Sequence, residues 1–357
     1  MATTVMVAMS GGVDSAVAAY LLKTEGYDCM GVTMKLFSGA GGASARAQAC
    51  GASADVEDAR AVAQKLGIPH EVIDFTADFD RSVIKRFIEA YENGRTPNPC
   101  VDCNRFIKFG RLRERADQLK QDYIATGHYA RVGRDPETGE YLLKKAVDTS
   151  KDQSYVLYYM TQAQLGRTLF PLGGMNKNET RAVAAREGLG NARKGDSQDI
   201  CFVPGGDYAA FMEQYTGRAY PLGDFISPEG RAVGRHKGQA RYTIGQRRGL
   251  GLAAGAPVYV LARDAEKNTV TIGPESLLFS RRLTAGDVNW ISGRAPEGEI
   301  RVAAKTRYRQ PEQPATARMI APDRLEVIFD QPQRAITAGQ AVVLYQGDVV
   351  LGGGTIL

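Results

Sequence analysis

Two short stretches of the sequence combine residue types that could do chemistry: a glycine turn near the start and a pair of cysteines near position 100. The turn, Ser10-Gly11-Gly12-Val13-Asp14-Ser15, follows an apolar run at residues 5–9 and precedes an amphipathic run, which predicts strand, tight turn and helix. Adjacent glycines let the backbone approach a ligand closely, and the amides that open a helix attract phosphate. The stretch predicts a phosphate-binding turn, and an ordinary glycine turn is the alternative. Because the sequence contains no Gly-x-x-x-x-Gly-Lys-Ser/Thr motif, a P-loop is disfavoured.

The second stretch, residues 98–104, carries Cys100 and Cys103 in a segment that its prolines predict to be a stiff loop. A Cys-x-x-Cys spacing suits a metal corner, a redox pair, or a nucleophile with a second thiol that resolves it. The redox pair is disfavoured, because such a motif should open a helix after a strand. A third thiol, Cys201, has apolar neighbours and by itself is most simply a small buried hydrophobe. Together with the pair it becomes a candidate partner across an active site.

Other polar residues are candidates for contacts with nucleic acid. His128 follows a predicted strand at residues 123–126, so it should lie near a bound nucleotide. It either contacts nucleic acid or phosphate, or has a structural role. The stretch Lys151-Asp152-Gln153 either caps a helix or donates hydrogen bonds to RNA.

Basic residues gather in one window that contains no acidic residue, and a one-sign cluster of this kind is typical of a phosphate-backbone contact. The window also contains His236 and Tyr242. Its basic members are Arg231, Arg235, Lys237, Arg241, Arg247 and Arg248. Further along, Arg307 and Tyr308 pair a guanidinium group with a ring that can stack on an unpaired base.

The elements that must position these residues alternate between strand and helix in the first part of the chain. Predicted strands lie at residues 5–9, 29–34, 71–75 and 123–126, and predicted helices follow the turn and cover about 55–66, 79–91 and 107–119. Such repeats predict a doubly wound parallel sheet, an α/β fold, with its ligand at the carboxyl ends of the strands. Residues 153–187 have a mainly helical pattern.

After about residue 203 the pattern changes to short strand-like runs, such as residues 258–261, 269–272, 326–329 and 342–345, separated by turn residues. We therefore expect three domains. They are a catalytic domain at 1–203, a small β-rich central domain at 204–277 and a C-terminal β-barrel at 278–357.

Length and composition fit a protein of this kind. A chain of 357 residues is long enough for two or three domains, and 43% hydrophobic with 24% charged residues is ordinary for a globular protein. The sequence shows no apolar run of membrane-spanning length and no targeting segment, so the cytoplasm is the expected location. Five cysteines are an odd number and predict thiols rather than a disulfide framework. We expect Cys29 to be core and assign no role to Cys50.

The glycine turn resembles the signature of the ATP pyrophosphatases, which cleave ATP between its α and β phosphates and adenylate a substrate oxygen. The whole set of motifs is narrower and resembles the tRNA-specific 2-thiouridylases. The matching pieces are residues 10–15, 96–99, 103–104 with 107–109, 126–131, 151–155, 195–202, 242–249 and 307–310.

This resemblance implies an enzyme that converts the carbonyl of the wobble uridine of certain tRNAs to a thiocarbonyl. ATP, with Mg²⁺, would adenylate the uridine oxygen at carbon 2, and a protein persulfide would supply sulfur that displaces AMP. Cys201 would accept the sulfur as a persulfide and Cys103 would be the nucleophile that works with it, in a route that can end in a Cys103–Cys201 disulfide. The implied ATP-binding residues are Ala8, Met9, Ser10, Gly11, Gly12, Val13, Asp14, Ser15, Met34 and Gly127. The implied tRNA contacts are His128, Lys151, Asp152, Gln153, Arg307, Tyr308 and Gln340.

The implied partners are the tRNA anticodon loop and a sulfur-relay protein that carries a persulfide; no membrane partner is expected. The chain departs from the family at Cys100, where many members have an aspartate that is a suggested acid or base. Either Asp102 assists instead or Cys100 joins the sulfur chemistry. A further alternative, which we rank below the persulfide route, is an iron–sulfur cluster on Cys100, Cys103 and Cys201, as in a related tRNA 2-thiocytidine enzyme. No residue is assigned as a metal ligand otherwise.

Two rival functions belong to other classes. An amidating synthetase would need an ammonia source, and the chain has no evident glutaminase module. An RNA-binding protein with a vestigial nucleotide turn would be expected to have lost Asp14 or the serines, and the turn is intact.

Overall fold

A five-stranded parallel sheet carries the glycine turn. The computed structural model describes residues 2–37, 53–189, 200–252 and 256–357. All neighbours in this sheet are parallel, and the strand order is β3-β2-β1-β4-β7. Its strands are β1 (Thr4–Ala8), β2 (Asp28–Lys35), β3 (His70–Asp74), β4 (Tyr123–Ala125) and β7 (Thr168–Leu169). The predicted doubly wound α/β fold is confirmed.

Helices cover the sheet and supply the segment with the two cysteines. The α-helices in the described part of the chain are α1 (Val13–Thr24), α2 (Ser53–Leu66), α3 (Thr76–Phe79), α4 (Lys85–Glu92), α5 (Pro99–Asp102), α6 (Leu112–Gln118), α7 (Gln162–Leu165), α8 (Lys177–Arg186) and α9 (Tyr208–Thr216). Wider π-helical turns at Asp80–Ile84 and Cys103–Arg111 join α3 to α4 and α5 to α6. Residues 76–92 and 99–118 therefore form two continuous helical rods.

The prediction of a stiff loop over residues 98–104 is wrong from Pro99 onward. The helix begins at Pro99, and the side chain of Asn98 accepts a hydrogen bond from the amide of Cys100 at 3.2 Å. Proline suits the first position of a helix, where no amide partner is needed, and asparagine is a favoured N-cap. The prolines that suggested a loop are thus a helix start.

The later part of the chain is β-rich, as predicted. The central domain has a four-stranded sheet of order β10-β11-β8-β9, in which β11 and β8 run parallel. Its strands are β8 (Gly223–Ile226), β9 (Ala232–His236), β10 (Tyr259–Asp264) and β11 (Thr269–Gly273). In the last domain, pairing of β12 with β17 closes six antiparallel strands into a barrel. These strands are β12 (Phe279–Trp290), β13 (Glu299–Lys305), β14 (Gln313–Ala321), β15 (Arg324–Arg334), β16 (Ala341–Gln346) and β17 (Val349–Ile356).

A hairpin that the sequence analysis did not predict links the barrel to the first domain. Its strands, β5 (Ala130–Arg134) and β6 (Tyr141–Lys145), follow the parallel strand β4 in the chain. Strand β6 pairs with β17, so the hairpin extends the sheet of the barrel. Domain boundaries at 203/204 and 277/278 remain our proposal, and the hairpin crosses from the first unit to the last.

The domains share one hydrophobic cluster, called the shared core below, and the barrel and the central domain each have a further cluster of their own. The cluster below the parallel sheet includes Ala8, Phe87 and Cys103, and it continues to Phe211 of α9 and Tyr345 of β16. A second cluster fills the space between the sheet and α1, α2 and α8. The shared core fixes the barrel against the helical rod at 99–118. Among the described residues, no helix has the length and apolarity to cross a membrane.

Candidate active site

The glycine turn has a backbone that only glycine fits. Gly11 has a φ of +72°, and a Cβ at this position would lie 2.4 Å from the carbonyl oxygen of Asp55. Gly12 is the N-cap of α1 and, as a glycine, supplies no side-chain cap. The first amides of α1 therefore point out of the carboxyl end of β1, where they and the helix dipole favour an anionic group.

Ser15 holds the turn together from inside. Its hydroxyl accepts a hydrogen bond from the amide of Ser10 at 3.1 Å and donates one to the carbonyl of Gly12 at 3.0 Å. Ser15 thus has a structural reason to be a serine, because its hydroxyl fixes the path of the chain between β1 and α1. ATP binding by the turn stays a prediction.

Asp14 has a partner that no sequence motif predicted, Lys177. The Lys177 ammonium lies 2.7 and 2.8 Å from the two carboxylate oxygens of Asp14, and only 6% of this lysine is exposed. The Tyr129 hydroxyl also donates to Asp14, at 2.9 Å. Lys177 is the first residue of α8, where a cation opposes the helix dipole. That unfavourable placement is the one local signal that this lysine has a distant partner.

The end of β4 presses against the same turn. A Cβ at Gly127 would lie 2.8 Å from the carbonyl carbon of Asp14 and the amide nitrogen of Ser15. Any side chain at this position would displace the start of α1. Gly127 thus lies directly against the glycine turn, and its contact with ATP stays a prediction.

His128 has the environment of a structural histidine. It is 7% exposed, and its Nδ1 lies 2.7 Å from the Thr126 hydroxyl. Burial, with help from the Lys108 ammonium 3.4 Å from Nε2, holds the pKa of His128 well below its usual range. The imidazole is therefore neutral near pH 7. This geometry favours the structural alternative, and a contact with tRNA stays a prediction.

Cys103 lies inside the helical rod at 99–118, one turn after Cys100. The amide of Cys103 donates to the carbonyl of Cys100, so the two residues share one face of the helix. Cys100 is exposed, whereas Cys103 is 9% exposed and belongs to the shared core. The motif does open a helix, as a redox pair requires, although no strand leads directly into it.

Asp102 lines a cavity of about 470 Å³ between the rod and the barrel. Its carboxylate lies 3.6 Å from the guanidinium of Arg86. Burial outweighs this cation and raises the pKa of Asp102 to about 6. The carboxyl group can thus hold or release a proton near neutral pH, which the acid/base hypothesis requires. The cavity is lined by Arg86, Glu89, Ala90, Asn93, Arg95, Pro97, Asn98, Val101, Asp102, Tyr158, Tyr159, Asp287, Gly339, Ala341 and Thr355.

Cys201 is placed by its neighbour Phe202. The Phe202 ring is buried and lies 5.3 to 5.7 Å from the rings of Phe79, Phe87 and Phe211. Cys201 itself is partly exposed and packs against the same core as Cys103. Residues 195–199 of its motif lie outside the described residues, as does Cys50. Cys29 is buried in β2, which confirms that it is core.

Several predicted tRNA contacts are engaged inside the protein. The Asp152 carboxylate accepts from the amide of Ala146 at 3.0 Å and from the hydroxyl of Ser154 at 2.7 Å. The Gln153 side chain accepts from the amide of Tyr129 at 2.9 Å. For this stretch the geometry favours a structural role within the protein, and RNA contacts stay a prediction.

Two polar residues of the barrel, Arg307 and Gln340, form hydrogen bonds with other domains. The Arg307 guanidinium donates to the carbonyls of Ile244 and Ala335 at 3.2 and 3.1 Å, which bridges the central domain and the barrel. The Gln340 amide donates to the carbonyl of Thr96 at 2.8 Å, next to the rod. Both side chains therefore have a structural role, and their contact with tRNA stays a prediction.

The basic window divides into a buried and an exposed part. His236 and Tyr242 are buried beside Phe225, so neither ring is available to stack on a base. Two of the six cations face carboxylates, since Arg235 pairs with Asp224 and Arg241 with Glu213. The other four are exposed and form no ion pair with the described residues. They are Arg231, Lys237, Arg247 and Arg248.

No three His, Cys, Asp or Glu side chains of the described residues lie close enough to hold a metal ion. The iron–sulfur alternative has no preformed three-cysteine group among these residues.

Together, the five-stranded parallel sheet and the helices that cover it place the first domain in the α/β class. A family model described as "tRNA methyl transferase HUP domain" matches residues 3–205. Two further models, "tRNA methyl transferase PRC-barrel domain" and "Aminomethyltransferase beta-barrel domain", match residues 209–274 and 280–356.

Relatives of almost the same length identify the family to which the chain belongs within this class. A tRNA-specific 2-thiouridylase MnmA from Clostridioides difficile is 47% identical over 99% of this chain and 97% of its own length. Proteins of the same name from Heliobacterium modesticaldum and Moorella thermoacetica are 50% and 51% identical, over 100% and 98% of this chain and 93% and 98% of their own lengths. The chain belongs to the tRNA-specific 2-thiouridylase family. A solved structure titled "Crystal structure of a 4-thiouridine synthetase - RNA complex with bound ATP" is much more distant, with a TM-score of 0.39, 16% identity and coverage of 59% of this chain and 50% of that chain.

Proposed function

We propose that this protein is a tRNA-uridine 2-sulfurtransferase that uses ATP to convert the wobble uridine of tRNA to 2-thiouridine. The observation that carries the proposal is the glycine turn, in which Gly11 and Gly127 pack too closely for any side chain and leave the N-terminus of α1 open. A site of that form suits a phosphate chain. Family membership over the full length supports tRNA as the second substrate.

In the first step, the uridine oxygen at carbon 2 attacks the α-phosphorus of ATP, and pyrophosphate leaves. The amides at the start of α1 stabilise the charge that develops on the leaving phosphates. Hydrogen-bond donors that the fold has already oriented stabilise such charge most effectively, because they need not reorganise during the reaction. Asp14, held by Lys177 and Tyr129, keeps the start of α1 in register with the end of β4. Mg²⁺, brought with ATP, supplies further charge neutralisation at the phosphates.

In the second step, the terminal sulfur of a Cys201 persulfide attacks carbon 2 and displaces AMP. The Cys103 thiolate then attacks the inner sulfur of Cys201, which breaks the sulfur–sulfur bond and leaves the second sulfur on the base as a thiocarbonyl. The two cysteines end as a disulfide, so the electron pair that reduces the transferred sulfur comes from their thiols. Both residues pack on one hydrophobic core, and that arrangement supports the pairing.

The tRNA surface is proposed to combine the exposed cations Arg231, Lys237, Arg247 and Arg248 with Tyr308 and Lys151. Phosphate contacts of this kind give affinity without sequence readout. A base of the anticodon loop has to be turned out to reach the sheet. A relay protein that carries a persulfide is proposed as the sulfur source, and the cytoplasm as the location.

The test is nucleoside mass spectrometry on unmodified tRNA incubated with the protein, ATP, Mg²⁺ and a sulfur source. Wild type is expected to form 2-thiouridine and to release AMP. Cys103→Ser and Cys201→Ser are expected to form none. Cys29→Ala is the matched control, because Cys29 is a buried cysteine of β2 and should leave the product unchanged.

Two results would contradict the proposal. If ATP is consumed and the tRNA carries no sulfur, the proposal of a nucleotide site stands, but the proposal that tRNA uridine is the substrate is refuted. Thiolation by both serine variants at the wild-type rate would refute the proposed roles of Cys103 and Cys201.

A further inference from the structure

The first domain touches both other domains at one buried residue, Thr96. The Thr96 amide donates to the carbonyl of Ala338 at 2.8 Å, and the Thr96 carbonyl accepts from the Gln340 side chain at 2.8 Å. Both partners lie directly before β16 of the barrel. The Thr96 hydroxyl accepts a hydrogen bond at 3.1 Å from Arg263 of β10, which belongs to the central domain. The three domains therefore meet at this residue.

Arg263 is a buried cation that has no carboxylate partner among the described residues. Its Nη2 donates to Thr96, whereas its Nε and Nη1 atoms are buried and lack a hydrogen-bond partner in the described part of the chain. The guanidinium lies over the Tyr91 ring of α4, 5.4 Å from the centroid, and Tyr208 stacks on Tyr91 with centroids 4.5 Å apart. Burial lowers the pKa of Arg263, and the two groups that act in the opposite direction are these tyrosines. A cation–π contact offsets only part of the cost of burying a charge without a counter-ion.

Such a cation is a poor way to stabilise a fold. Replacing buried charged groups by apolar residues of similar volume is often neutral or stabilising. The central domain also has another attachment at the end of α4, because the buried Gln239 side chain donates to the carbonyls of Tyr91 and Glu92 at 3.2 and 3.0 Å. A residue that breaks a local rule while the fold is held by other contacts indicates a role in function.

We propose that Arg263 is a positioning residue, which holds Thr96 and thereby fixes the central domain relative to the barrel for a tRNA bound across both. This role rests on the proposed function, in which the tRNA surface combines cations of the central domain with Tyr308 of the barrel. The residues after Thr96, Pro97 and Asn98, line the cavity between the rod and the barrel. A shift of one domain would therefore move the target base relative to the parallel sheet. A displacement of about 1 Å can cost about 100-fold in rate.

The hold on Thr96 can be measured without ATP or tRNA. Hydrogen–deuterium exchange of the full-length protein is followed by mass spectrometry of peptides that cover residues 94–98, with urea unfolding of the same samples. Arg263→Met should exchange this segment at least about tenfold faster than wild type, because Thr96 loses a hydrogen-bond donor. Its urea midpoint should stay at or above the wild-type value, because methionine removes the uncompensated charge.

Arg218→Met is the matched control. Arg218 belongs to the same domain and also reaches the end of α4, where it pairs with Glu92 at 3.1 Å, but its side chain is 71% exposed. This variant should exchange residues 94–98 at the wild-type rate. Wild-type exchange in Arg263→Met would overturn the proposal. A clearly lower urea midpoint in Arg263→Met would also overturn it, since Arg263 would then be a stabilising residue of the fold.

A second measurement tests the effect on the reaction. At saturating tRNA, single-turnover formation of 2-thiouridine should be at least about tenfold slower in Arg263→Met than in wild type. The Kd for tRNA should stay within about twofold, because the exposed cations of the central domain remain. Thr96→Val removes the accepting hydroxyl and should give the same loss of rate. The double variant should be no slower than either single variant, because the two residues act through one contact.

Three results of this measurement would refute the positioning role: a wild-type rate in Arg263→Met, additive losses in the double variant, or a loss confined to tRNA affinity. If wild type forms no 2-thiouridine, the proposed function fails, while hydrogen exchange still decides whether Arg263 holds Thr96.

Discussion

Gly127 is the point where the end of β4 touches the start of α1, and its replacement by alanine tests whether this contact controls ATP affinity. The added Cβ would lie 2.8 Å from backbone atoms of Asp14 and Ser15. Backbone atoms cannot rotate away as a flexible side chain can. The variant should therefore push the helix start, with its phosphate-facing amides, out of place.

The size of the effect follows from this geometry. Ordinary contact begins near 3.4 Å, so the helix start must retreat by about 0.6 Å. Overpacking of this kind costs about 1–3 kcal/mol. If the retreat is undone when ATP binds, that cost appears as roughly 5- to 150-fold weaker binding of ATP.

The assay is equilibrium binding of a non-hydrolysable ATP analogue, with urea unfolding of the same samples. Gly174→Ala is the matched control, since Gly174 is exposed, has no positive φ and has no atom within 4 Å of its added Cβ. Wild-type affinity in Gly127→Ala would refute the reasoning, even if the variant unfolds at lower urea. Lower affinity in the control would show that any added methyl group disturbs the protein.

Three further variants test single contacts. Lys177→Met should lower the free energy of unfolding by about 1.5–3 kcal/mol, since Asp14 loses a charged hydrogen-bond donor; urea titration measures this. Asp287→Asn breaks the ion pair with Arg105, but 49% of the Asp287 side chain is exposed, so the loss should stay below about 1 kcal/mol and shrink further in high salt. Asp102→Asn should remove a pH dependence. Because native Asp102 keeps its proton up to about pH 6 and the unfolded chain loses it near 3.8, wild-type stability falls between pH 4 and 6 by about 3 kcal/mol relative to the variant.

One measured result would contradict each of these three expectations. An unchanged urea midpoint for Lys177→Met would mean that the carboxylate of Asp14 is satisfied without the lysine. A loss of several kcal/mol in Asp287→Asn would show that the barrel depends on this pair. Parallel pH profiles for Asp102→Asn and wild type would place the pKa of Asp102 at its ordinary value.

Local features of the chain were readable because they depend on neighbours a few residues away. The strand, turn and helix around Ser10 to Ser15 follow from apolar periodicity and from two glycines. The barrel strands follow from short apolar runs between turns. The helix at Pro99 was misread because prolines mark both loops and helix starts, and the Asn98 cap decides which.

The sequence by itself determined the fold class, the strand, turn and helix around Ser10 to Ser15, and the family, since these depend on local patterns and ordered motifs. Only the tertiary structure decided which side chains meet. Lys177 pairs with Asp14 across 163 residues, and Gln340 reaches the carbonyl of Thr96 across 244. No local pattern selects one lysine or glutamine among many. Such contacts are chosen by packing, because burial forces each polar group to find whatever partner the fold brings near.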